Sequence, residues 1–519
     1  MQEEQQKKNI RTVGVMMALA LLGKVLGLAR DMLLGHKFAT GMAATAFLTA
    51  SRIPRNFFDA IFASAISASF IPVFNEYLER EGRDEAFRLS NAFITVTALL
   101  TAALSLLGMA FAAPLTAFLA DGFDAQTAAL CAGLLRVLFP LVFFTGLAFS
   151  LVGILQSLGE FNIPALLSTA SNLVILLYYI FLCDRFGIYG LAAAFLLGWV
   201  VQVLIQLPSL RRFGYRWRPA LRHEGLRKIW ALVLPVLVST WVQPLNLTVA
   251  TKYASRLNGG AAASALEYAN TLYTIVAGVF VLSIANVIFP EFSRMSARDD
   301  EAALGETISG TLRAMLFLLA PMAAGLAVLA EDVVRLLYEW GEWGAESTAL
   351  TAGALAFLSL GMLGYGVQII LSRAFYAAQQ GKMPLIAGLL SVGANIALCA
   401  ALSPLMGLRG LALASAVSLV LPALVLLLAL ARRYPGLVSR ETVAELCKML
   451  LCSALMALCV AALSRALDAR LPDSLVSRAL ACALPAAAGV AVYFALSWLL
   501  RVGVLSQGAA LLKRRKDKP

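Results

Sequence analysis

Apolar runs of about 20 residues or more, cut by short polar connections, follow one another from residue 12 to residue 511. Each is long enough to cross a hydrocarbon core of about 30 Å as a helix. Each is also too long and too evenly apolar for a barrel strand, so helices must satisfy the backbone. The pattern predicts an all-α integral membrane protein with fourteen transmembrane helices. They fall at 12–36, 45–75, 88–119, 125–157, 162–183, 187–210, 229–257, 263–293, 304–331, 347–379, 383–403, 407–432, 441–467 and 475–511. Several exceed a minimal span, which implies tilt or extension beyond the bilayer.

A few charges interrupt these runs. Lys24, Arg30 and Asp31 fall in the first, Arg52, Arg55 and Asp59 in the second, and Lys252 and Arg256 in the seventh. A cation at the centre of a membrane helix costs about 2.5–3.5 kcal/mol even on the lenient insertion scale. Such groups are expected to line a shared hydrated cavity rather than face lipid, and their surplus of cations points to an anionic cargo.

Composition agrees with the pattern: 60% of residues are hydrophobic and only 14% charged, too few charges for a soluble chain of this length. The net charge of +12 would suggest nucleic acid, but the placement of the cations excludes it. The densest cluster, Arg211, Arg212, Arg216, Arg218, Arg222, Arg227 and Lys228, follows the sixth span. Arg294 and Arg298 follow the eighth, Lys382 the tenth, and Arg432, Arg433 and Arg440 the twelfth; the chain ends in KRRKDKP, and Lys7, Lys8 and Arg11 precede the first span. The other connections are acidic or poor in cations, such as DGFD at 121–124. By the positive-inside rule both termini and all even connections are cytoplasmic. The basic clusters then serve topology and anionic lipid.

The two halves share landmarks. FIPVFNEY with Pro72 is followed by RDEA, and IFPEFSRM with Pro290 by RDDEA. Pro164 precedes Gly187 by 187 − 164 = 23 positions, and Pro384 precedes Gly407 by 407 − 384 = 23. A duplication of six spans preserves orientation, so the expected architecture is two six-helix lobes in a pseudo-twofold parallel repeat plus two C-terminal helices. The predicted divisions are 1–225, 226–440 and 441–519.

On an ideal helix Gly23, Gly27 and Arg30 share a stripe, with Lys24 and Asp31 on the adjacent one. The glycines would let a neighbouring backbone approach. Arg52, Arg55 and Asp59 follow i, i+3, i+7, Asp59 is within pairing reach of Arg55, and Pro54 is expected to bend the helix beside them. Lys252 and Arg256 are i, i+4, preceded by Gln243, Pro244 and Asn246. Arg30, Arg52, Lys24, Arg256, Arg55 and Lys252 are therefore the candidate substrate-binding residues. Asp31 and Asp59 are their charge partners, and Glu267, Asn270, Gln243 and Asn246 are polar cavity candidates. An Arg fork suits phosphate oxygens.

His36 and His223, near helix ends, read as interfacial, and Trp199, Trp217, Trp230 and Trp498 read as interfacial anchors. The seven cysteines form no CxxC pair and read as small core residues. No removable signal peptide is read at the N-terminus. No Walker motif, HExxH or nucleophile elbow occurs. No enzyme activity, metal or cofactor is expected, and energy is expected from an ion gradient, the membrane potential or downhill supply of cargo.

The stretch GKVLGLARDMLLGHKFATGMAATAFLTASRIPRNFFDAIFASAISASFIPVF resembles the opening of the MurJ (MviN) family of lipid II flippases, in the MOP superfamily. So do ASRLNGGAAASALEYANTLYTIVAGVFVLSIANVIFPEFS and LSRAFYAAQQGKMP. The resemblance implies a multi-pass protein of the bacterial cytoplasmic membrane that functions as a monomer among membrane lipids. It would translocate the undecaprenyl-pyrophosphate-linked peptidoglycan precursor from the inner to the outer leaflet by alternating access. It also implies that the last two helices form an apolar groove for the polyprenyl tail. The chain departs from the family pattern at Lys24 (usually Arg), Thr45 (often acidic), Ala63–Ala65 (often EGA), and Asn270 and Thr271 (often charged). These departures leave a MOP-superfamily exporter of another lipid-linked oligosaccharide as the alternative.

Overall fold

The computed structural model describes residues 2–505 apart from 241, 299, 379, 471 and 473. Within its helices the side chains of residues 2–17, 20, 56, 57, 60, 234–243, 297, 435 and 436 fall outside that description. The described residues form helices and no strand. Contacts divide the chain into two compact units, Met1–Ser264 and Ala265–Pro519.

The first unit opens with α1 (Gln2–Phe38) and α2 (Met42–Ser51). A π-helical segment (Arg52–Phe57), α3 (Phe58–Ala65), a second π-helical segment (Ile66–Phe70) and α4 (Ile71–Arg80) complete the second span. It continues through α5 (Arg83–Ala110), α6 (Ala112–Leu119), α7 (Ala125–Leu138), α8 (Leu141–Ser157), α9 (Asn162–Phe181) and α10 (Cys183–Leu204). The short α11 (Leu207–Arg212), then α12 (Glu224–Thr240) and α13 (Val242–Ala254) follow. The boundary falls in the first turn of α14 (Ala261–Ala297), and α15 (Glu301–Val328), α16 (Ala330–Tyr338), α17 (Ala345–Ser359), α18 (Met362–Ala377), α19 (Lys382–Ala431), α20 (Arg440–Asp468) and α21 (Leu475–Leu499) follow.

Among the described residues ten helices are long and apolar enough to cross a membrane, or eleven if the bent pair α17–α18 is one span. Each coincides with a predicted span, and the 50 residues of α19 cover two of them. The first and seventh predicted spans are helical, as α1 and as α12 with α13, but are not among the ten.

The repeat read from sequence reappears as geometry. The order α5 to α10 is matched by α15 to α19: α7 and α17 begin 345 − 125 = 220 residues apart, and α9 and α19 begin 382 − 162 = 220 apart. Gly187 breaks α10 near its start with φ 55°, ψ −146°, and Gly407 breaks α19 with φ 58°, ψ −134°. An L side chain resists that region, so glycine sets both corners. Packing is matched as well, with α5 against α8 as α15 is against α18, and α6 against α7 as α16 is against α17.

The second span is irregular for a local reason. Pro54 and Pro72 cannot donate to the preceding turn, and each ring clashes with the carbonyl four residues back. A π turn relieves this by carrying an additional residue. One π segment contains Pro54 and the other ends just before Pro72. Around α4 the span is locked by aromatic packing: the ring centroids of Phe70 and Phe93 lie 4.6 Å apart, and those of Phe70 and Phe74 5.5 Å. In the second unit α20 packs on both α15 and α21, and Tyr493 donates its hydroxyl to the Phe317 carbonyl at 2.9 Å.

Candidate anion-binding site

The first unit holds a pocket of about 540 Å³ walled by α1, the second span, α8, α9 and α10. Arg30, Arg55 and Asp59 line it. Both guanidiniums lie over the ring of Phe195 on α10: Arg30 Cζ is 5.3 Å from its centroid and Arg55 Cζ is 5.5 Å. Cation–π contact at a desolvated ring is worth about 2 kcal/mol and fixes both planes without consuming their N–H donors.

Arg30 is further held by its neighbours. Its Nε donates to Asp31 Oδ1 at 2.9 Å, and Nη1 donates to Asn172 Oδ1 at 3.0 Å. Asn172 Nδ2 in turn donates to the Gly23 carbonyl at 3.0 Å. A Cβ on Gly23 would approach Ser168 to 3.2 Å, so the small-residue stripe read from α1 is the face that admits α9. Arg55 and Asp59 stand one turn apart on the pocket wall, with Thr145 beside Asp59. Two forked donors on one wall can take a phosphate or pyrophosphate, with Asp31 holding the Arg30 fork in place.

The remaining candidates are elsewhere. Arg52 does not share the wall with Arg55: it is 3% exposed and donates Nη1 to the Leu247 carbonyl of α13 at 2.7 Å. The straight-helix stripe of Arg52, Arg55 and Asp59 is thus corrected, because the π segment turns residues three positions on away from their α-helical register. Lys24 is exposed on α1. Arg256 and Lys252 gather on a carboxylate that sequence reading had passed over. Asp121 accepts two bonds from Arg256, both at 2.7 Å, and Lys252 Nζ lies 3.5 Å from it. The Arg256 fork holds the Asp121 carboxyl below the usual carboxylate range. A Cβ on Gly122 would fall 2.5 Å from Arg256 Cα, so only glycine lets this loop lie on the end of the seventh span. Asn246 is half-buried on α13, and the side chain of Gln243 lies outside the described residues. Glu267 is buried and Asn270 half-buried on α14, within the second unit.

Sequence reading missed Asn172, Phe195, Ser168, Gln156 and Gln202, all of which line the pocket. Asn172 and Gln202, polar positions inside apolar runs, were the available signal. Trp199 is not an interfacial anchor but is 8% exposed and lines the pocket, and Trp230 is half-buried against the core around Phe70. Trp217 and Trp498 are 54% and 72% exposed, as anchors would be.

Helices of membrane-spanning length, repeated in order and enclosing a charged interior pocket, define a polytopic helical transporter. Comparison with known proteins specifies which. The family described as "Lipid II flippase MurJ" matches residues 34–478, and the chain belongs to that family. A lipid II flippase MurJ from Burkholderia cenocepacia is 30% identical over 428 residues, covering 80% of this chain and 82% of the relative. A probable lipid II flippase MurJ from Rhizobium tropici is 30% identical and covers 99% and 97%. Among solved structures, a lipid II flippase MurJ in an inward closed conformation superposes with TM-score 0.79 at 23% identity, over 94% of this chain and 99% of that one. An inward-facing MATE transporter of the MOP superfamily superposes with TM-score 0.69 at 17% identity, over 82% and 98%. The two show that the fold is shared.

Proposed function

We propose that this chain translocates lipid II, the undecaprenyl-pyrophosphate-linked peptidoglycan precursor, from the inner to the outer leaflet of the bacterial cytoplasmic membrane. The observation that carries this reading is the pair of guanidiniums, Arg30 and Arg55, set on the one ring of Phe195 inside an apolar bundle. Two cations gathered on one wall of a pocket suit an anionic head group, because an Arg fork bonds phosphate oxygens in a bidentate way. In this reading the pyrophosphate bridges the two forks, and Asp31 and Asp59 orient them between transport cycles. Lys24, Lys252 and Arg256 serve the passage of the anion rather than its resting place, and Arg52 ties the second span to α13.

The arrangement proposed around that site has fourteen spans with both termini cytoplasmic. Two six-helix lobes, 1–225 and 226–440, rock in alternating access, and the appended pair within 441–519 seats the polyprenyl tail. The chain acts as a monomer among membrane lipids and draws on an ion gradient or the membrane potential. The matched corners at Gly187 and Gly407 support the duplicated core.

Rescue of a strain depleted of its own lipid II flippase tests the function. Growth with the wild-type chain and lysis with Arg30→Ala at equal membrane abundance are expected. Lysis with both would reject lipid II as cargo and favour another lipid-linked oligosaccharide. Crosslinks that hold the lobes together at either membrane face should each stop transport; normal transport by both would reject the rocking scheme.

A further inference from the structure

The pocket has a second half that the anion does not use. Along α10, Phe195, Trp199 and Gln202 follow i, i+4, i+7 and face the same wall. Along α8, Phe149, Val152 and Gln156 follow i, i+3, i+7 and face it too. At 1.5 Å per residue the α10 stripe rises about 10 Å from the ring that carries the guanidiniums to the amide of Gln202.

This half is built of aromatic faces and amides and carries no charge. The Phe149 and Trp199 rings lie 6.0 Å apart, inclined at 52°. Gln202 is 8% exposed, yet its side-chain amide has no hydrogen-bond partner among the described residues. The side-chain amide of Gln156 and the indole N–H of Trp199 are likewise without partners among the described residues. The polar atoms of all three open onto the pocket, where a ligand can take up their hydrogen bonds. Paired amide donors and acceptors beside an aromatic face match a pyranose ring, whose hydroxyls and acetamido group bond while its C–H face packs on the indole.

We propose that Trp199, Gln202 and Gln156 form a sugar subsite that takes the first N-acetylhexosamine of the cargo, about one ring beyond the pyrophosphate held by Arg30 and Arg55. This rests on the anion-binding reading above and adds to it the part of the head group that distinguishes glycosylated cargo from bare lipid pyrophosphate.

Two lipids separate the two halves: undecaprenyl pyrophosphate, and the same lipid carrying the N-acetylated disaccharide. Binding to the purified full chain in detergent would be measured for wild type, Gln202→Leu, Trp199→Phe and Arg30→Gln. Gln202→Leu keeps the volume, and Trp199→Phe keeps an aromatic face, so folding is preserved. Each should weaken the disaccharide lipid about tenfold and leave the sugar-free lipid within twofold. Arg30→Gln should weaken both lipids alike. If Gln202→Leu and Trp199→Phe weakened both lipids equally, or neither, the sugar subsite would be rejected. If Arg30→Gln spared both while Gln202→Leu stayed selective, the anion reading alone would fall.

Discussion

From Arg52 to Phe70 the second span of the first unit passes through two π-helical segments, whereas α14 runs 37 residues as one helix. The offset that superimposes Pro72 on Pro290, 290 − 72 = 218, makes α14 the counterpart of that span. At this offset Arg52, Arg55 and Asp59 fall on Asn270, Tyr273 and Ala277. In the proposed reading one pattern is kept as scaffold and the other serves as a site. Pro290 sits inside α14 without a π segment, so a proline alone does not force one. In the first unit the irregularity sends Arg52 to a backbone carbonyl of α13 and leaves Arg55 and Asp59 on the pocket wall. In the second, Tyr273 packs edge-on to Tyr365 at 6.4 Å and the role is one of packing. A duplicated fold can thus place its charge in one half by changing helix register, with no change of architecture.

The strongest way to break this contrast is to remove the charges from one side only. Arg30→Gln and Arg55→Gln should each lower lipid II translocation in reconstituted vesicles by at least about 100-fold, the loss of a charge-assisted pair worth about 3 kcal/mol. Asn270→Ala and Tyr273→Phe should stay within about threefold. Comparable losses on both sides would end the asymmetry.

Arg52 sharpens the comparison through stability instead. Arg52 is 3% exposed and ties the second span to the Leu247 carbonyl, so Arg52→Ala should cost about 2–4 kcal/mol by losing that bond and leaving a cavity. Thermal unfolding in detergent would register this, while Arg55→Ala, on the pocket wall, should shift the midpoint far less. The reverse order would mean that Arg52 and Arg55 have exchanged roles.

Much of this was legible in the sequence. Helix positions followed from apolar runs, because in a bilayer the backbone leaves no other choice. The corners at Gly187 and Gly407 sit at matching positions, 23 residues past Pro164 and Pro384, as the sequence spacing marked them. Arg30, Arg55 and Asp59 were legible as expensive charges. What was not legible was register: periodicity assumes a straight helix, and the π segment around Pro54 moved Arg52 off the predicted stripe. Asp121 was missed because an acidic loop residue looks like topology until a glycine beside it brings Arg256 within bonding distance. Trp199 was misread because interfacial and pocket tryptophans share one local sequence signature.

Register can be tested directly. Pro54→Ala restores a donor and should let Arg52–Phe57 relax toward α-helix, rotating Arg55 off Phe195. Translocation should drop by about tenfold with a change in unfolding free energy under about 1 kcal/mol. Unchanged transport would show that the π segment is not what aims Arg55.

The smallest effect concerns pH. Because the bond from Arg256 lowers the Asp121 carboxyl, the clasp contributes stability above the ordinary carboxylate range and loses it as pH falls through the lowered value. Hydrogen exchange of residues 120–124 should therefore stay slow through mildly acidic pH and rise only below the usual carboxylate range, whereas in Asp121→Asn it should be fast throughout. Release at mildly acidic pH in the wild type would contradict the pairing.

The central claim, that the anion is read in the first unit and not at its repeat counterpart, is tested most directly by where the cargo touches the protein. A benzoylphenylalanine crosslinker placed at Phe195 or at Tyr273, irradiated with lipid II labelled in its pyrophosphate, should give a labelled adduct from position 195 and none from position 273. An adduct from 273 with none from 195 would contradict the account.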